Sequence, residues 1–139
     1  MRDLHSNIHP AGASVVTVTD NTAVVSPIVD LQNYNSLEFL IGAGTLADAD
    51  ATFAVLVEEG DASNLSDAAA VADDDLLGTE ALAGFTFAED SEARKIGYNG
   101  SKRYVRCTVT PASNTGSAPI AIIPLLGNTR KGPTDNPPS

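Results

Sequence analysis

The hydrophobic residues of this chain recur with a period of two over short runs, and Gly, Asn, Asp or Pro turns separate the runs. In RYVRCTVT, for example, Val105, Cys107 and Val109 alternate with polar or longer side chains. A period of two is typical of a β-strand with one buried face, whereas a helix repeats at about 3.6 residues. Such runs predict eight strands, over residues 14–19, 23–31, 37–44, 52–60, 85–90, 94–98, 103–110 and 119–127.

One of these runs is apolar on both of its faces. Phe53, Val55 and Val57 fall on one face, and Ala54 and Leu56 fall on the other. We therefore expect this strand to be covered on both sides.

Two local signals refine the strand prediction. Pro27 lies inside the run 23–31, and proline removes a donor from the sheet ladder, so this strand is expected at a sheet edge or at a bulge. Asn99-Gly100 is a strong signal for a tight turn between antiparallel strands, because both residues tolerate a positive φ. The sequence thus predicts a β-hairpin that joins the runs 94–98 and 103–110.

Residues 61–84 have no clear period and are rich in Ala and Asp. Ser66 is a suitable cap for a short helix over 67–72. A loop with a short strand near DLLGT, residues 75–79, is the other interpretation. We favour a loop with at most one helical turn, since isolated helices of this length are marginal.

The elements together predict an all-β fold. About eight short strands with turn residues between them indicate a sandwich or a barrel, and we predict an antiparallel β-sandwich of jelly-roll type. The sandwich is expected over residues 14–127, with an extended N-terminal arm at 1–13 and an extended C-terminal tail at 128–139. The 139 residues are enough for one domain with its own core.

Charge is divided unevenly along the chain, which has a net charge of −10. Residues 1–93 hold 17 of the 18 acids and a single base, Arg2, while residues 94–139 hold seven bases and a single acid, Asp135. The overall negative sign disfavours binding to DNA or RNA, which depends on neutralising phosphates. Two interpretations stay open: the acidic part of one copy packs on the basic part of another, or the two signs meet within one molecule.

Five of the bases cluster around the predicted hairpin: Arg94, Lys95, Lys102, Arg103 and Arg106. We predict that this cluster contacts an acidic protein neighbour. Tyr98 and Tyr104 lie among the bases, and stacking of single-stranded nucleic acid on them is an alternative that the net charge disfavours. A solvated outer face is the third interpretation.

The sequence offers no pattern typical of a catalytic site, and we predict that the protein is not an enzyme. His5 and His9 are four residues apart without the Glu of a zinc-protease helix, and Pro10 disfavours a helix there. Cys107 is expected to face the core as an inert thiol. We therefore expect no metal and no cofactor. Apolar runs stay well below the roughly 18 residues of a membrane span.

Two stretches carry a resemblance to a known family. IGYNGSKRYVRCTVTP (96–111) and NTGSAPIAIIPLLGNTRKGP (114–133) resemble the C-terminal half of small structural proteins encoded beside the major capsid gene of tailed phages and prophages. NYNSLEFLIGAG (33–44) and DLLGTE (75–80) are also similar to that group. The resemblance implies a capsid decoration, or cement, protein.

Such a protein is expected on the capsid surface of the virion, where it stabilises the shell. The resemblance implies that its partners are the major capsid protein and further copies of itself in a trimer, with no nucleic acid and no membrane. We expect the arm and the tail to become ordered on docking. They add five residues to the predicted interface: Arg2, His5, His9, Arg130 and Lys131.

Two other functions remain open at this point. A head–tail connector or tail component would share the same β-rich character. A carbohydrate-binding β-sandwich module is the further alternative. It is disfavoured because sugar sites stack aromatic rings, and the chain has no Trp and only seven Phe and Tyr residues in total.

Overall fold

Two antiparallel sheets pack against each other in a computed structural model that describes residues 3–137. The strands are β1 (Ile8–Pro10), β2 (Ser14–Val18), β3 (Val24–Val25), β4 (Val29–Asp30), β5 (Tyr34–Ala43), β6 (Thr52–Gly60), β7 (Ala69–Ala70), β8 (Leu76–Leu77), β9 (Phe85–Thr86), β10 (Ala93–Tyr98), β11 (Tyr104–Ala112) and β12 (Ala118–Thr129). One short helix, α1, covers Glu80–Ala83, and 3₁₀ turns cover His5–Asn7, Asp73–Asp75 and Phe87–Glu89.

The order of the strands defines a jelly roll. Sheet A runs β2–β12–β5–β10, with β1 beside β2 on β12 and β8 outside β10. Sheet B runs from β3 and β4 through β11 and β6 to β7 and β9. Each sheet thus contains six strands, and the chain crosses repeatedly between the two sheets, which confirms the predicted antiparallel, jelly-roll-like sandwich.

The described chain has twelve strands, and the predicted number of about eight is wrong. One reason lies along the edge of sheet A, which a bulge divides into β1 and β2. Pro10 pairs with Leu125 and Ser14 pairs with Ile122, so three edge residues oppose two residues of β12. Gly12, with φ of +94°, lies among the three. The extra residue breaks the ladder, so β1 is a separate strand from β2; the run 14–19 predicted β2, whereas β1 lies in the segment that was predicted as an arm.

The edge of sheet B is divided in the same way. Val25 pairs with Thr108 and Val29 pairs with Val105, so three residues that include Pro27 oppose two residues of β11. The proline thus lies both on an edge strand and at a bulge, as its missing N–H donor requires.

The core lies between the sheets, and the predicted alternation is confirmed in the long strands. Val105, Cys107 and Val109 are fully buried, as is Phe39 of β5. The expectation that β6 is covered on both faces is wrong, because Leu56 is 37% exposed on its outer face.

The predicted hairpin at Asn99-Gly100 is not formed. β10 pairs with β5 and β8 in sheet A, whereas β11 pairs with β3, β4 and β6 in sheet B. The turn therefore carries the chain from one sheet to the other. The hydroxyl of Tyr98 donates to Glu59 of β6 and accepts from the backbone N–H of Lys102 at 3.0 Å, which ties the crossing to both sheets.

Residues 61–84 form a loop that contains β7, β8, the 3₁₀ turn Asp73–Asp75 and α1, which is more helical structure than the single turn predicted, and no helix forms over 67–72. Thr79 caps α1 by accepting from the N–H of Leu82 at 3.1 Å. The short strand expected near DLLGT is β8. β5 begins at Tyr34, three residues before the predicted strand 37–44.

The described parts of both terminal segments contact the sandwich. The segment predicted as an arm contributes β1, which pairs with the C-terminal part of β12. The segment predicted as a tail contains the last two residues of β12, and Thr134 donates its N–H to the carbonyl of Ser6 at 3.0 Å. Within residues 3–137, no helix is long and apolar enough to cross a membrane.

Candidate interaction surfaces

Arg103 and Lys102 each hold an acid of the N-terminal part of the chain. The guanidinium of Arg103 donates to both carboxylate oxygens of Asp30, at 2.8 and 2.9 Å, and to the amide oxygen of Gln32 at 2.7 Å. Lys102 Nζ lies 2.7 Å from Asp61. These contacts lower the pKa of Asp30 and raise the pKa of Lys102.

Arg106 and Arg94 are also paired. Arg106 lies directly opposite Glu58 on β6, with 3.1 Å between its Nε and the carboxylate. Arg94 lies 3.5 Å from Glu92 and 4.0 Å from Glu89. Four bases of the predicted cluster are therefore neutralised by acids of the same molecule, and the two signs meet within the fold. Their contact with an acidic neighbour stays a prediction.

Lys95 differs from the other four bases. Its ammonium forms none of the ion pairs or hydrogen bonds found within residues 3–137. It lies opposite Leu40 on the outer side of sheet A, whereas Lys102, Arg103 and Arg106 are associated with sheet B. Sheet pairing thus separates Lys95 from the cluster to which the sequence assigned it.

We call the outer side of β5, β10 and β12 the sheet A face. The alternating burial of these strands places the following residues on this side: Ser36, Glu38, Leu40, Gly42, Ala93, Lys95, Pro119, Ala121, Ile123 and Leu125. Only two of these are charged, although the molecule carries −10 overall. A surface depleted of charge and lined by aliphatic residues is typical of the centre of a protein interface.

The two charges of the sheet A face are neighbours. Glu38 pairs with Gly97 and Leu40 pairs with Lys95, so the acid and the base lie on a diagonal of adjacent strands. Burial raises the pKa of the Glu38 carboxyl, and Lys95 opposes that effect through its charge. Glu38 accepts none of the hydrogen bonds found in the described part of the chain.

A depression of about 220 Å³ opens beside Glu38 on this face. Ile8, Leu77 and Leu125 line it together with Glu38. A carboxylate among aliphatic side chains suits a ligand with a charged end and an apolar stem.

A second exposed apolar region lies where the edges of the two sheets meet, and we call it the valine edge. Val15 of β2 is 74% exposed, and Val16 and Val25 are each 44% exposed. Ser14 Oγ donates to the carbonyl of Val25 at 2.7 Å and joins the two edge strands.

An open cleft of about 500 Å³ lies at the opposite edge of sheet B. Thr52, Thr86, Glu80 and Glu89 contribute its polar groups. Both carboxylates are engaged with backbone N–H groups: Glu80 with Val57 at 2.8 Å and Glu89 with Thr86 at 2.6 Å.

The other predicted interface residues are dispersed. His9 stacks on Tyr34 with 5.4 Å between ring centroids, and Arg130 donates to the side chain of Asn35 at 3.3 Å. His5 and Lys131 are exposed near the chain ends. Arg2 lies outside the described residues.

Sequence reasoning missed the sheet A face and the valine edge. The sheet A face is built from three strands that are distant in sequence, so its composition emerges only when their pairing is known. The valine edge had a signal that was available: Asp20 is the only charged residue between Pro10 and Val29.

No protein-family model matches the chain, and no curated protein is similar to it. Among solved structures, the xylan-binding domain CBM22-1 from Paenibacillus barcinonensis is 10% identical with a TM-score of 0.44, over 90% of this chain and 88% of that one. The N-terminal cellulose-binding domain of Cellulomonas fimi β-1,4-glucanase C is 11% identical with a TM-score of 0.45, over 90% of each chain.

The enzymatically active domain of tailspike protein 4 from bacteriophage CBA120 is 13% identical with a TM-score of 0.46, over 86% of this chain and 19% of that one. This chain also spans only 32% of a family two carbohydrate esterase from Cellvibrio japonicus and 28% of a two-module endo-1,4-β-D-xylanase chain from Clostridium thermocellum. At these identities and TM-scores the likeness says nothing of what this chain binds. The β-sandwich assignment rests on its own strand pairings.

Proposed function

We propose that the chain is a structural protein that docks on other protein subunits, and specifically a decoration protein of the outer surface of a tailed-phage capsid. The observation that carries the proposal is the valine edge. The resemblance of residues 96–111 and 114–133 to proteins encoded beside phage capsid genes supports the specific assignment.

The outer side of β2 is an unprotected edge of sheet A. Edge strands expose unpaired N–H and C=O groups, and monomeric proteins commonly protect them with charges or a covering segment. Here β2 carries two exposed valines and no charge, in a molecule with 26 charged Asp, Glu, Lys and Arg residues. An edge of this kind suits a protein that works with the edge covered by another chain.

The polar chemistry of the described residues supports a docking role over a catalytic one. Cys107 is buried, and the paired bases hold acids of the same chain. Among residues 3–137, no group of three or more His, Cys, Asp or Glu side chains is arranged to hold a metal ion.

Co-sedimentation with expanded, undecorated shells of the phage or prophage that encodes the chain tests the proposal. We expect the wild-type protein to pellet with shells in hundreds of copies, and Val15→Lys to reduce pelleting because a charge would be desolvated at the edge. Leu82→Lys, at a residue of α1 that is 73% exposed, is the matched control. Absence of shell binding would overturn the capsid assignment, and binding of about six or twelve copies would indicate a connector instead.

Carbohydrate binding is the second candidate, and the cleft of about 500 Å³ favours it because two threonine hydroxyls and two carboxylates line that cleft. Against it, the stacked rings of Phe53 and Phe85 are buried, so they offer no open face to a sugar. Binding on a glycan array that Thr86→Ala abolishes would establish this function. An array without signal would exclude it for the glycans tested.

A further inference from the structure

We propose that a second copy of this chain covers the sheet A face in a symmetric dimer, with Lys95 of each copy inserted beside Glu38 of the other. This contact is separate from the valine edge and needs no shell. It therefore goes beyond the decoration role.

The depression beside Glu38 has the chemistry of a lysine-binding site. Ile8, Leu77 and Leu125 give it aliphatic walls, and Glu38 is its one charged group; Asn35, Ser36 and Asn99 also line it. A partner that covers this face removes water from the carboxylate and must replace it with a donor. A lysine fits, because its four-carbon stem packs on aliphatic walls while its ammonium reaches a carboxylate.

The chain presents such a lysine on the same face. Lys95 is exposed and forms none of the ion pairs found within residues 3–137, whereas Arg94, Lys102, Arg103 and Arg106 are all paired. Lys95 lies on β10, two residues before Gly97, and Gly97 is the residue that pairs with Glu38.

The positions of Glu38 and Lys95 suit a contact with two-fold symmetry. Glu38 and Lys95 are diagonal neighbours. A two-fold axis that lies in the interface and passes between them brings Glu38 of each copy against Lys95 of the other. One contact then forms two ion pairs and buries the row of Leu40, Ile123 and Leu125 between the sheets. A patch that is its own complement is the requirement for an isologous dimer. A ring in which Lys95 of one copy meets Glu38 of the next cannot form, since a copy that covers Lys95 also covers Glu38.

Charge elsewhere on the molecule favours this face for contact between copies. Sixteen of the 18 acids lie before residue 91, and only Glu38 among these projects from the sheet A face. Two copies of an acidic protein repel each other least where each presents one acid and one base.

Sedimentation equilibrium of the full chain over a range of concentrations tests the dimer. We expect the wild type to dimerise. Glu38→Lys alone and Lys95→Glu alone are each expected to weaken association by at least about tenfold, because like charges then face each other.

Mixing provides the decisive measurement. In an equimolar mixture of Glu38→Lys and Lys95→Glu, every interface pair joins opposite charges, so heterodimers are expected although each variant alone is monomeric. The double variant Glu38→Lys/Lys95→Glu is expected to regain a homodimer for the same reason. Circular dichroism of each variant verifies that it is folded.

Two control variants carry the same changes of charge outside the face. Asp74→Lys matches Glu38→Lys, and Lys131→Glu matches Lys95→Glu; both control residues are exposed. We expect neither control to alter association. A wild type that stays monomeric at hundreds of micromolar, a mixture that fails to associate, or a trimer unaffected by both single variants would each overturn the dimer. None of these results bears on shell binding through the valine edge.

Discussion

Gly12 occupies a left-handed backbone conformation, with φ of +94°, that other L-residues rarely adopt. A Cβ at this position would also lie only 3.0 Å from Cγ of Pro27 on the neighbouring edge strand. Both conditions follow from the bulge that separates β1 from β2. The backbone at this bulge therefore requires glycine.

Substitution at Gly12 should accordingly be costly. We expect Gly12→Ala to lower the free energy of unfolding by more than about 1 kcal/mol, because alanine is strained at positive φ. Gly42→Ala is the control, since a Cβ there meets nothing within 4 Å and Gly42 has ordinary strand dihedrals. Urea unfolding of both variants measures the difference, and equal stabilities would contradict the role given to Gly12.

Cys107 illustrates the effect of burial on reactivity. Burial raises the pKa of its thiol to about 12, and the thiolate is the reactive form. We expect no reaction of the folded protein with a thiol-specific disulfide reagent at pH 8, and one equivalent of reaction in strong denaturant. Rapid reaction of the folded protein would show that this part of β11 opens readily.

At the scale of elements, the ion pairs join strands that are far apart in sequence. Arg103, the residue before β11, donates two hydrogen bonds to Asp30 at the end of β4. The two strands are otherwise joined by only two paired positions, so this contact adds to a short ladder. The contact lies at the surface, with the side chain of Arg103 48% exposed. Exposed pairs contribute at most about 1 kcal/mol.

We therefore expect Arg103→Ala to lower the free energy of unfolding only slightly, with greater loss for Arg103→Glu because two acids then face each other. The exchange Asp30→Arg/Arg103→Asp should recover part of that loss. Guanidinium unfolding is unsuitable because its salt screens the pair, so urea is the denaturant of choice. If Arg103→Glu were as stable as wild type, the contact would contribute nothing to the fold.

The elements also show what the sequence could and could not predict. The strand at 103–110 was predictable because its alternation reports burial directly, whereas 52–60 is apolar on both faces and was wrongly expected to be covered on both sides. The connection at Asn99-Gly100 was misjudged because a turn signal fixes a local reversal and not the sheet in which the next strand pairs. The bulge that was expected as one possibility at Pro27 divides a predicted strand into β3 and β4, whereas β1, which precedes the bulge at Gly12, was missed because residues 1–13 show no period of two.

The candidate surfaces were less predictable than the strands. Charge along the sequence grouped Lys95 with four other bases, whereas strand pairing places it on the sheet A face beside Glu38. That neighbour is 57 positions away in the sequence, and no local pattern links the two. Surfaces of this kind depend on topology, which the period of the hydrophobic residues does not specify.

At the scale of the whole molecule, several carboxylates stabilise the fold in their charged form. Hydrogen bonds from neighbouring N–H or hydroxyl groups, or from Arg103, lower the pKa of Asp3, Asp20, Asp30, Asp48, Asp67 and Glu89. A folded pKa below the unfolded value means that the stabilisation is present above the unfolded pKa. It is lost as the pH falls through the folded pKa.

We therefore expect the free energy of unfolding to fall steadily between about pH 5 and pH 2. Asp48 is a suitable residue for dissection, because it accepts from the N–H of Thr115 at 2.8 Å and from the hydroxyl at 2.9 Å. Asp48→Asn should make the dependence on pH shallower while leaving the sheets intact. An unchanged slope in urea unfolding at a series of pH values would show that Asp48 titrates alike in both states.

The paired bulges at Gly12 and Pro27 also limit the growth of an assembly. Beyond Ser14 the backbone of the edge changes register, so an incoming strand can follow β2 only over Ser14–Val18. Five residues make a short template, too short for the long, uninterrupted ladders of fibrils. The bulge thus shortens the stretch of exposed edge along which a strand of another chain could pair.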